Sequence, residues 1–199
     1  MHKITSRGMR VASWIAIPAA LVASGVVVSA ASYSAFSSVS ENPASNWATG
    51  SVSLTDDDAG VAMFSATGLK PGSTGTKCIA VTSTGSLASA VKLYGTGAAT
   101  TNSLSSYVNL VITQGTGGSF GSCTGFAALA SGSAVFSGTL AGLATTATNY
   151  STGLGAWAPT GATSETRVYR FVYTVDAAAP NTTQSSTATI SFAWEAQNS

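Results

Sequence analysis

Short runs of alternating apolar and polar residues, separated by turns rich in Gly, Ser and Thr, constrain this 199-residue chain more than any other feature. Residues 167–175 carry Tyr, Phe and Val at every second position, and residues 187–195 repeat the pattern. A period of two is typical of a strand that buries one face. Shorter spans alternate in the same way: residues 47–54, 61–66, 77–83, 90–94, 108–113 and 134–140. About eight antiparallel strands predict an all-β fold, a β-sandwich of jelly-roll type.

The stretches between these runs have the composition of turns and loops. Pro71 and Gly72 supply turn chemistry, because Pro presets φ and Gly accepts a positive φ. Residues 95–106 and 115–124 are rich in Ser, Thr and Gly and are predicted to be loops. Residues 140–150 are the one stretch whose pattern permits a short helix. Without an internal repeat or a linker, residues 46–199 are predicted to form one domain.

The first 31 residues have the three zones of a Sec signal peptide. Lys3, Arg7 and Arg10 form a basic start, and an apolar core follows over residues 14–28. That core is shorter than the about 20 residues needed to span a bilayer, although an uncleaved N-terminal anchor is the alternative. We therefore expect export, no membrane attachment afterwards, and cleavage after one of three small residues: Ala30, Ala31 or Ser34.

Composition excludes several kinds of chemistry from the exported chain. The one histidine, His2, lies in the predicted signal peptide, so the mature chain has no imidazole for a catalytic triad or a zinc peptidase site. Residues 117–121 match the G-x-S-x-G nucleophile pattern, but that pattern needs a histidine base. Five basic and seven acidic residues remain after residue 31, which gives no reason to expect nucleic acid as a partner. No cofactor is predicted.

Cys78 and Cys123 are the only cysteines, and both follow the signal zone. An even pair in an exported protein usually forms a disulfide. We predict a structural Cys78–Cys123 bond that ties a strand to the glycine-rich loop at Cys123. Metal binding would need more ligands than two thiolates, and redox pairs usually lie closer in sequence.

Asp56, Asp57 and Asp58 form the only cluster of charges. Carboxylate oxygens on a loop are suitable ligands for Ca²⁺, so the triplet is a candidate calcium site. Consecutive acids, however, lack the alternating spacing of an EF-hand loop. The alternative is a solvated turn that discourages edge pairing.

Aromatic residues suggest a second kind of site, a face that binds sugar or protein. The candidates, taken as exposed, are Tyr94, Tyr107, Tyr150 and Trp157, and the alternative is that they are core or rim residues. A pair of carboxylates for glycoside hydrolysis would have to come from the few acids outside the triplet, which are Glu41, Glu165, Asp176 and Glu195. Nothing in their spacing singles out a pair.

Several segments in order resemble the TasA/camelysin family of Gram-positive bacteria. They are Ala35-Phe36-Ser37-Ser38, then Asn46-Trp47-Ala48-Thr49-Gly50-Ser51-Val52-Ser53-Leu54, Gly68-Leu69-Lys70-Pro71-Gly72, and Ala188-Thr189-Ile190-Ser191-Phe192-Ala193-Trp194-Glu195-Ala196. The resemblance implies a jelly-roll-like sandwich at the cell surface or in the biofilm matrix. TasA-like members form fibres in which an N-terminal segment adds as a strand to the next subunit, and camelysin-like members are described as metalloproteases. The chain departs from this pattern at Ser73, where the family's turn often reads L-K-P-G-D, in its cysteine pair and in its shorter length, and its mature part has no histidine to hold zinc.

The N-terminal segment, residues 32–45, is the candidate assembly element. Residues 33–39 are β-prone and uncharged, with Ala35, Phe36 and Val39 as the assembly residues and Phe36 as the anchor. A neighbouring sandwich could capture this segment as an added strand, or the segment could complete its own sandwich or stay disordered. We therefore predict a secreted, non-enzymatic structural protein of the cell surface or matrix, with a homo-oligomer or fibre as its assembly. The alternatives are a monomeric secreted binding module for a carbohydrate or protein, and a secreted hydrolase.

Overall fold

A computed structural model describes residues 49–198. That part of the chain contains nine strands and one α-helix: β1 (Leu54–Asp56), β2 (Thr74–Ser83), β3 (Ser89–Thr100), β4 (Val108–Thr116), β5 (Ala127–Ala128), β6 (Ala134–Thr139), α1 (Leu140–Thr146), β7 (Leu154–Trp157), β8 (Glu165–Val175) and β9 (Ala188–Asn198). Three short 3-10 helices lie between them, at Leu104–Tyr107, Tyr150–Thr152 and Asn181–Thr183. The predicted signal peptide and the candidate assembly residues Ala35, Phe36 and Val39 lie outside the described residues.

The strands form two antiparallel sheets that pack as a sandwich. The larger sheet has the order β1-β2-β8-β4, with β5 and β6 both paired to β4, and the smaller sheet has the order β7-β3-β9. The chain changes sheet between β2 and β3, between β3 and β4, and on each step from β6 to β9. Such repeated crossing between sheets is typical of jelly-roll and Greek-key sandwiches. The predicted all-β sandwich is confirmed.

The inner faces of the two sheets form the core. On β8, Tyr169 and Phe171 point inward and are buried, as the sequence alternation predicts. Phe171 packs on Phe192 of the opposite sheet with ring centroids 4.7 Å apart, and Tyr169 packs on Trp194 at 5.4 Å. Burial raises the pKa of the Tyr169 phenol, so the ring stays neutral and acts as an apolar body. Contacts between aromatic rings therefore join the two sheets along β8 and β9.

Two of the predicted strands differ from the structure. Of the predicted run at residues 47–54, the structure describes residues 49–54, and only Leu54 belongs to a strand, the short β1. Before it, the Ser51 carbonyl accepts from the Ser86 N–H at 2.8 Å. The run at residues 61–66 is not a strand. Met63 is buried there, and the Phe64 ring meets the Tyr173 ring edge to face at 5.1 Å. These apolar side chains belong to a loop that covers part of the core. Their alternation therefore reflects burial and not strand pairing.

The predicted loop at residues 95–106 is wrong in its first half. Strand β3 continues to Thr100, because its partner β9 supplies backbone hydrogen bonds along this polar stretch. The register shifts between Thr96 and Ala99, and Gly97 has a positive φ of 60° at that bulge. Pairing with a neighbouring strand therefore outweighs the loop-like composition.

The predicted short helix is present as α1. Its N-terminus is capped by Thr139, whose side chain accepts a hydrogen bond from the Gly142 N–H at 3.0 Å. Leu143 is fully buried and anchors the helix against the core. The helix closes the side of the sandwich near β6 and β3.

Candidate functional site

Strand β9 is the longest strand at a sheet edge among residues 49–198. It pairs with β3 on one side, and no described strand pairs with its other side. The other edge strands of that part of the chain are much shorter. Over its 11 residues β9 carries one charge, Glu195, and it contains no proline. Proteins usually protect edges with short strands, charges, proline or bulges. Strand β9 has little of this protection, so its backbone N–H and C=O groups are available for strand pairing.

A groove runs beside this edge, between β9 and β1. It has a volume of about 220 Å³ and is lined by Leu54, Thr55, Asp56, Val81, Phe192, Ala193 and Trp194. Phe192 and Trp194 point inward but are only half-buried, although they contact the core. An inward-facing aromatic row that stays partly open next to a free edge can accept one more strand with apolar side chains. We call β9 and this groove the open seam.

The predicted disulfide is present. Cys78 on β2 is bonded to Cys123, with the two Cα atoms 5.3 Å apart. Cys78 points to the outer face of the larger sheet yet is completely buried. It is covered by the segment that contains Cys123, residues 117–126, which connects β4 to β5. We call this segment the strap.

The strap crosses the outer face of the sheet and is held at several points. Phe126 stacks on Arg170 of β8, with the guanidinium carbon 4.6 Å from the ring centroid. Ser119 and Ser122 exchange backbone hydrogen bonds of 2.8 and 3.0 Å, which makes a tight turn at the strap's far end. Ser119, the serine of the G-x-S-x-G match, therefore lies in an exposed turn. The strand–turn–helix elbow of a hydrolase is absent from this described segment.

The acidic triplet is used inside the fold. The Asp57 carboxylate accepts two backbone hydrogen bonds, from the Ala80 N–H of β2 and from the Phe120 N–H of the strap, both at 2.8 Å. Asp58 accepts from the Gly60 N–H at 2.6 Å, which closes a local turn. Burial, and a side-chain hydrogen bond shared between the two carboxyl groups of Asp56 and Asp58, raise the pKa of Asp56. Asp56 also accepts from the Asp58 N–H at 3.4 Å, so each of the three carboxylates accepts from a different backbone group.

This arrangement does not support the calcium hypothesis for Asp56, Asp57 and Asp58. Across residues 49–198, no group of three or more His, Cys, Asp or Glu side chains is placed to hold a metal ion. The turn interpretation fits better, with the addition that Asp57 links β2 to the strap. Sequence inspection did not show this link, because it depends on a contact between residues that are 63 positions apart.

The structure separates the four predicted surface aromatics. Trp157 is buried at 3 % exposure in the core, so its prediction as a surface residue is wrong. Its inward position follows from pairing with Val91 on β3, and Arg167 lies over its ring at 5.8 Å. Tyr107 and Tyr150 are half-buried, and the Tyr150 hydroxyl donates to the Ala90 carbonyl at 3.0 Å.

Tyr94 belongs to a polar network on the outer face of the smaller sheet. Its hydroxyl donates to Glu195 at 2.8 Å, and Gln197 donates to the other carboxylate oxygen at 2.9 Å. These bonds, from Gln197 and then Tyr94, lower the pKa of Glu195, and the Glu195 carboxylate raises the pKa of Tyr94. The network satisfies its own hydrogen bonds, and the four aromatics do not form one binding face.

Glu165 and Asp176 accept hydrogen bonds from residues close to them in the sequence. Glu165 accepts from the Thr160 N–H at 2.6 Å and from the Thr160 hydroxyl at 2.7 Å, and these bonds lower its pKa. Asp176 accepts from the Ala178 N–H within its own turn at 2.8 Å. Each carboxylate is engaged locally, as expected of a structural residue.

The open seam is the feature that residue-by-residue sequence inspection missed. A sequence signal was present, because β9 is the best-patterned strand of the chain and has one charge in 11 residues. Which strand lies at an edge depends on sheet order, and sheet order is not readable from alternation. No helix among the described residues is long and apolar enough to cross a membrane. No protein-family model matches the chain, and no match is found among curated proteins.

Proposed function

We propose that this protein is a secreted structural component of the cell surface or extracellular matrix that assembles by strand addition at the open seam. The observation that carries the proposal is the edge of β9, which pairs with no strand among residues 49–198 and lies beside a groove lined by half-buried aromatics. Edge strands with few charges pair readily with another extended segment. The disulfide supports an oxidising compartment outside the cytoplasm.

The proposed occupant of the seam is the N-terminal segment of a second copy, residues 33–39. This segment is uncharged and β-prone, and it offers Phe36 to the aromatic groove. Nine residues, 40–48, lie between Val39 and Thr49, where the described structure begins, and the ten extended steps from Val39 to Thr49 span at most about 36 Å. Since the donor and the acceptor are different surfaces, each copy can give one strand and take one. Such head-to-tail contacts generate filaments when they do not close into a ring.

The chemistry of the described residues supports a non-enzymatic role. Their carboxylates accept hydrogen bonds from the fold itself, and the exported chain would contain no histidine. The alternative of a binding module has less support, because Trp157 is buried and the other three aromatics do not form one surface. The camelysin-type peptidase activity is therefore not part of the proposal.

Assembly can be tested with the full chain, expressed in an exporting host and purified from the medium. Light scattering after size-exclusion chromatography and negative-stain microscopy should show oligomers or fibres. Deleting residues 35–40 should leave a folded monomer, because the donor is lost while the sandwich is retained. Unchanged assembly by the deletion variant would refute donation by this segment.

The acceptor edge needs its own variant and a matched control. Thr189→Lys with Ser191→Lys places two charges on exposed positions of β9 and should abolish assembly. Asn109→Lys with Val111→Lys adds the same charges at exposed positions of β4, which has strands on both sides, and should leave assembly intact. Equal effects of the two pairs would mean that net charge, and not the β9 edge, controls association.

A further inference from the structure

Strand β2 also has a long edge, on the side of the sandwich that carries the open seam. Strand β1 covers only Val81 to Ser83, so no described strand flanks β2 from Thr74 to Ala80 on that side. An open edge of this length would compete with β9 for any incoming strand. If copies join at the open seam in a defined way, something must keep the β2 edge closed.

The strap reaches around this edge. Cys78 points to the outer face of the sheet, where it is bonded to Cys123 of the strap. Lys77 pairs with Phe171 and so points to the inner face, yet its ammonium lies 5.5 Å from the centroid of the Phe120 ring. Because one strap contacts adjacent residues on opposite faces of β2, it must fold over the strand's free side between them.

Asp57 fastens the strap at that point. Its carboxylate bonds the Ala80 N–H and the Phe120 N–H, so it occupies a backbone donor of β2 and holds the tip of the strap. Phe120 also packs against the core. An added strand would have to lie about 4.8 Å from β2. The Asp57 carboxylate occupies that space at Ala80, and the Phe120 backbone N–H is bonded to the same carboxylate.

The geometry points to a protective role for the strap: it closes the β2 edge to strand pairing, so that a second copy of this chain can add only at β9. This inference rests on the proposed function, because it names which edge the assembly uses. What is excluded at β2 is pairing with a second copy of this chain, whether through its N-terminal segment or through its own exposed β2 edge. The disulfide keeps the strap in place on the outer face, and the Asp57–Phe120 contact closes the edge itself.

The test uses the variant that lacks residues 35–40, in which the proposed donor is absent. In this background, Asp57→Ala with Phe120→Ala releases the strap tip but keeps the disulfide. Phe136→Ala is the matched control, since it removes a half-buried aromatic from β6, away from the β2 edge. Hydrogen exchange of the β2 amides and light scattering are measured for both.

We expect the released variant to exchange its amides at Thr76, Cys78 and Ala80 at least about tenfold faster than the control does. We also expect it to associate through the exposed β2 edge, while the control stays monomeric. Equal exchange and equal monomer content in both variants would overturn the inference. A Cys78→Ala/Cys123→Ala variant gives a second comparison, because loss of the disulfide should loosen the same strap.

The outcomes separate the two proposals. In one outcome, the parent chain assembles, the variant lacking residues 35–40 does not, and releasing the strap causes no association. This outcome supports the proposed function and refutes edge protection. In the opposite outcome, the parent chain never assembles, but the variant with the released strap associates. This outcome supports edge protection and refutes the proposed function.

Discussion

Removing the Cys78–Cys123 bond tests how strongly the strap contributes to the stability of the sandwich. The disulfide closes a loop of 45 residues between β2 and the strap. In the chain-entropy treatment, a closed loop of that length lowers the entropy of the unfolded chain enough to stabilise the fold by about 4 kcal/mol at 25 °C. For a domain of this size, that free energy corresponds to a fall in Tm of about 8–16 °C on reduction.

The assay is urea unfolding of the oxidised and the reduced wild-type protein, followed by tryptophan fluorescence and circular dichroism. Reduction changes no side chain other than the two cysteines, so the comparison isolates the cross-link. The reduced protein should also show a larger m-value, since its unfolded chain exposes more surface. The Cys78→Ala/Cys123→Ala variant should agree with the reduced protein to within about 1 kcal/mol, the cost of a small cavity at the buried Cys78 site.

A loss of stability below about 1 kcal/mol on reduction would contradict this reasoning. It would mean that the strap is held mainly by its other contacts, or that the unfolded chain is already compact without the cross-link. Loss of cooperative unfolding on reduction would instead mean that the disulfide decides whether the sandwich forms.

Three further predictions concern the core, one carboxylate and the acidic triplet. Phe171→Ala should lower the free energy of unfolding by about 3–5 kcal/mol in urea titrations, because the ring is fully buried, whereas Val111→Ala at 44 % exposure should change it by less than about 0.5 kcal/mol. Hydrogen bonds from Thr160 lower the pKa of Glu165 beneath 4.5, so its stabilising effect exists at neutral pH and disappears as the pH falls through the lowered pKa. Glu165→Gln should therefore reduce Tm at pH 7, and this reduction should shrink as the pH falls through the lowered pKa of Glu165, whereas a reduction that does not change with pH would contradict the assignment. Millimolar Ca²⁺ should not shift Tm, because residues 56–58 serve backbone groups, and a rise reversed by chelator would show that they bind the ion.

The strands that alternation predicts well are those whose buried face is aromatic or β-branched. Strands β8 and β9 match the predicted runs at residues 167–175 and 187–195 to within a few residues. The disulfide was also predictable, since two cysteines in an exported chain leave one pairing. Both features depend on local sequence and simple counting.

The errors arise where distant contacts override local composition. The polar half of β3 is a strand because β9 pairs with it, and Trp157 is buried because Val91 faces it across β7 and β3. The link from Asp57 to Phe120 and the free edge of β9 depend on the order of strands in the sheets. Spacing along the chain carries no direct information about that order, so the open seam and the strap's closure of β2 required the structure.

The most direct test of the central claim is to cross-link the proposed donor to the open seam. Phe36 is replaced by a photoreactive benzoyl-phenylalanine in the full exported chain, and equal amounts of ¹⁵N-labelled and unlabelled protein are mixed before assembly. After irradiation, mass spectrometry identifies the joined peptides and their isotope content. We predict that residue 36 joins the β9 peptide, Ala188–Asn198, in mixed labelled–unlabelled pairs. Cross-links to β9 that never mix the labels would mean that each chain completes its own sandwich, and cross-links that avoid β9 would contradict the seam as the acceptor.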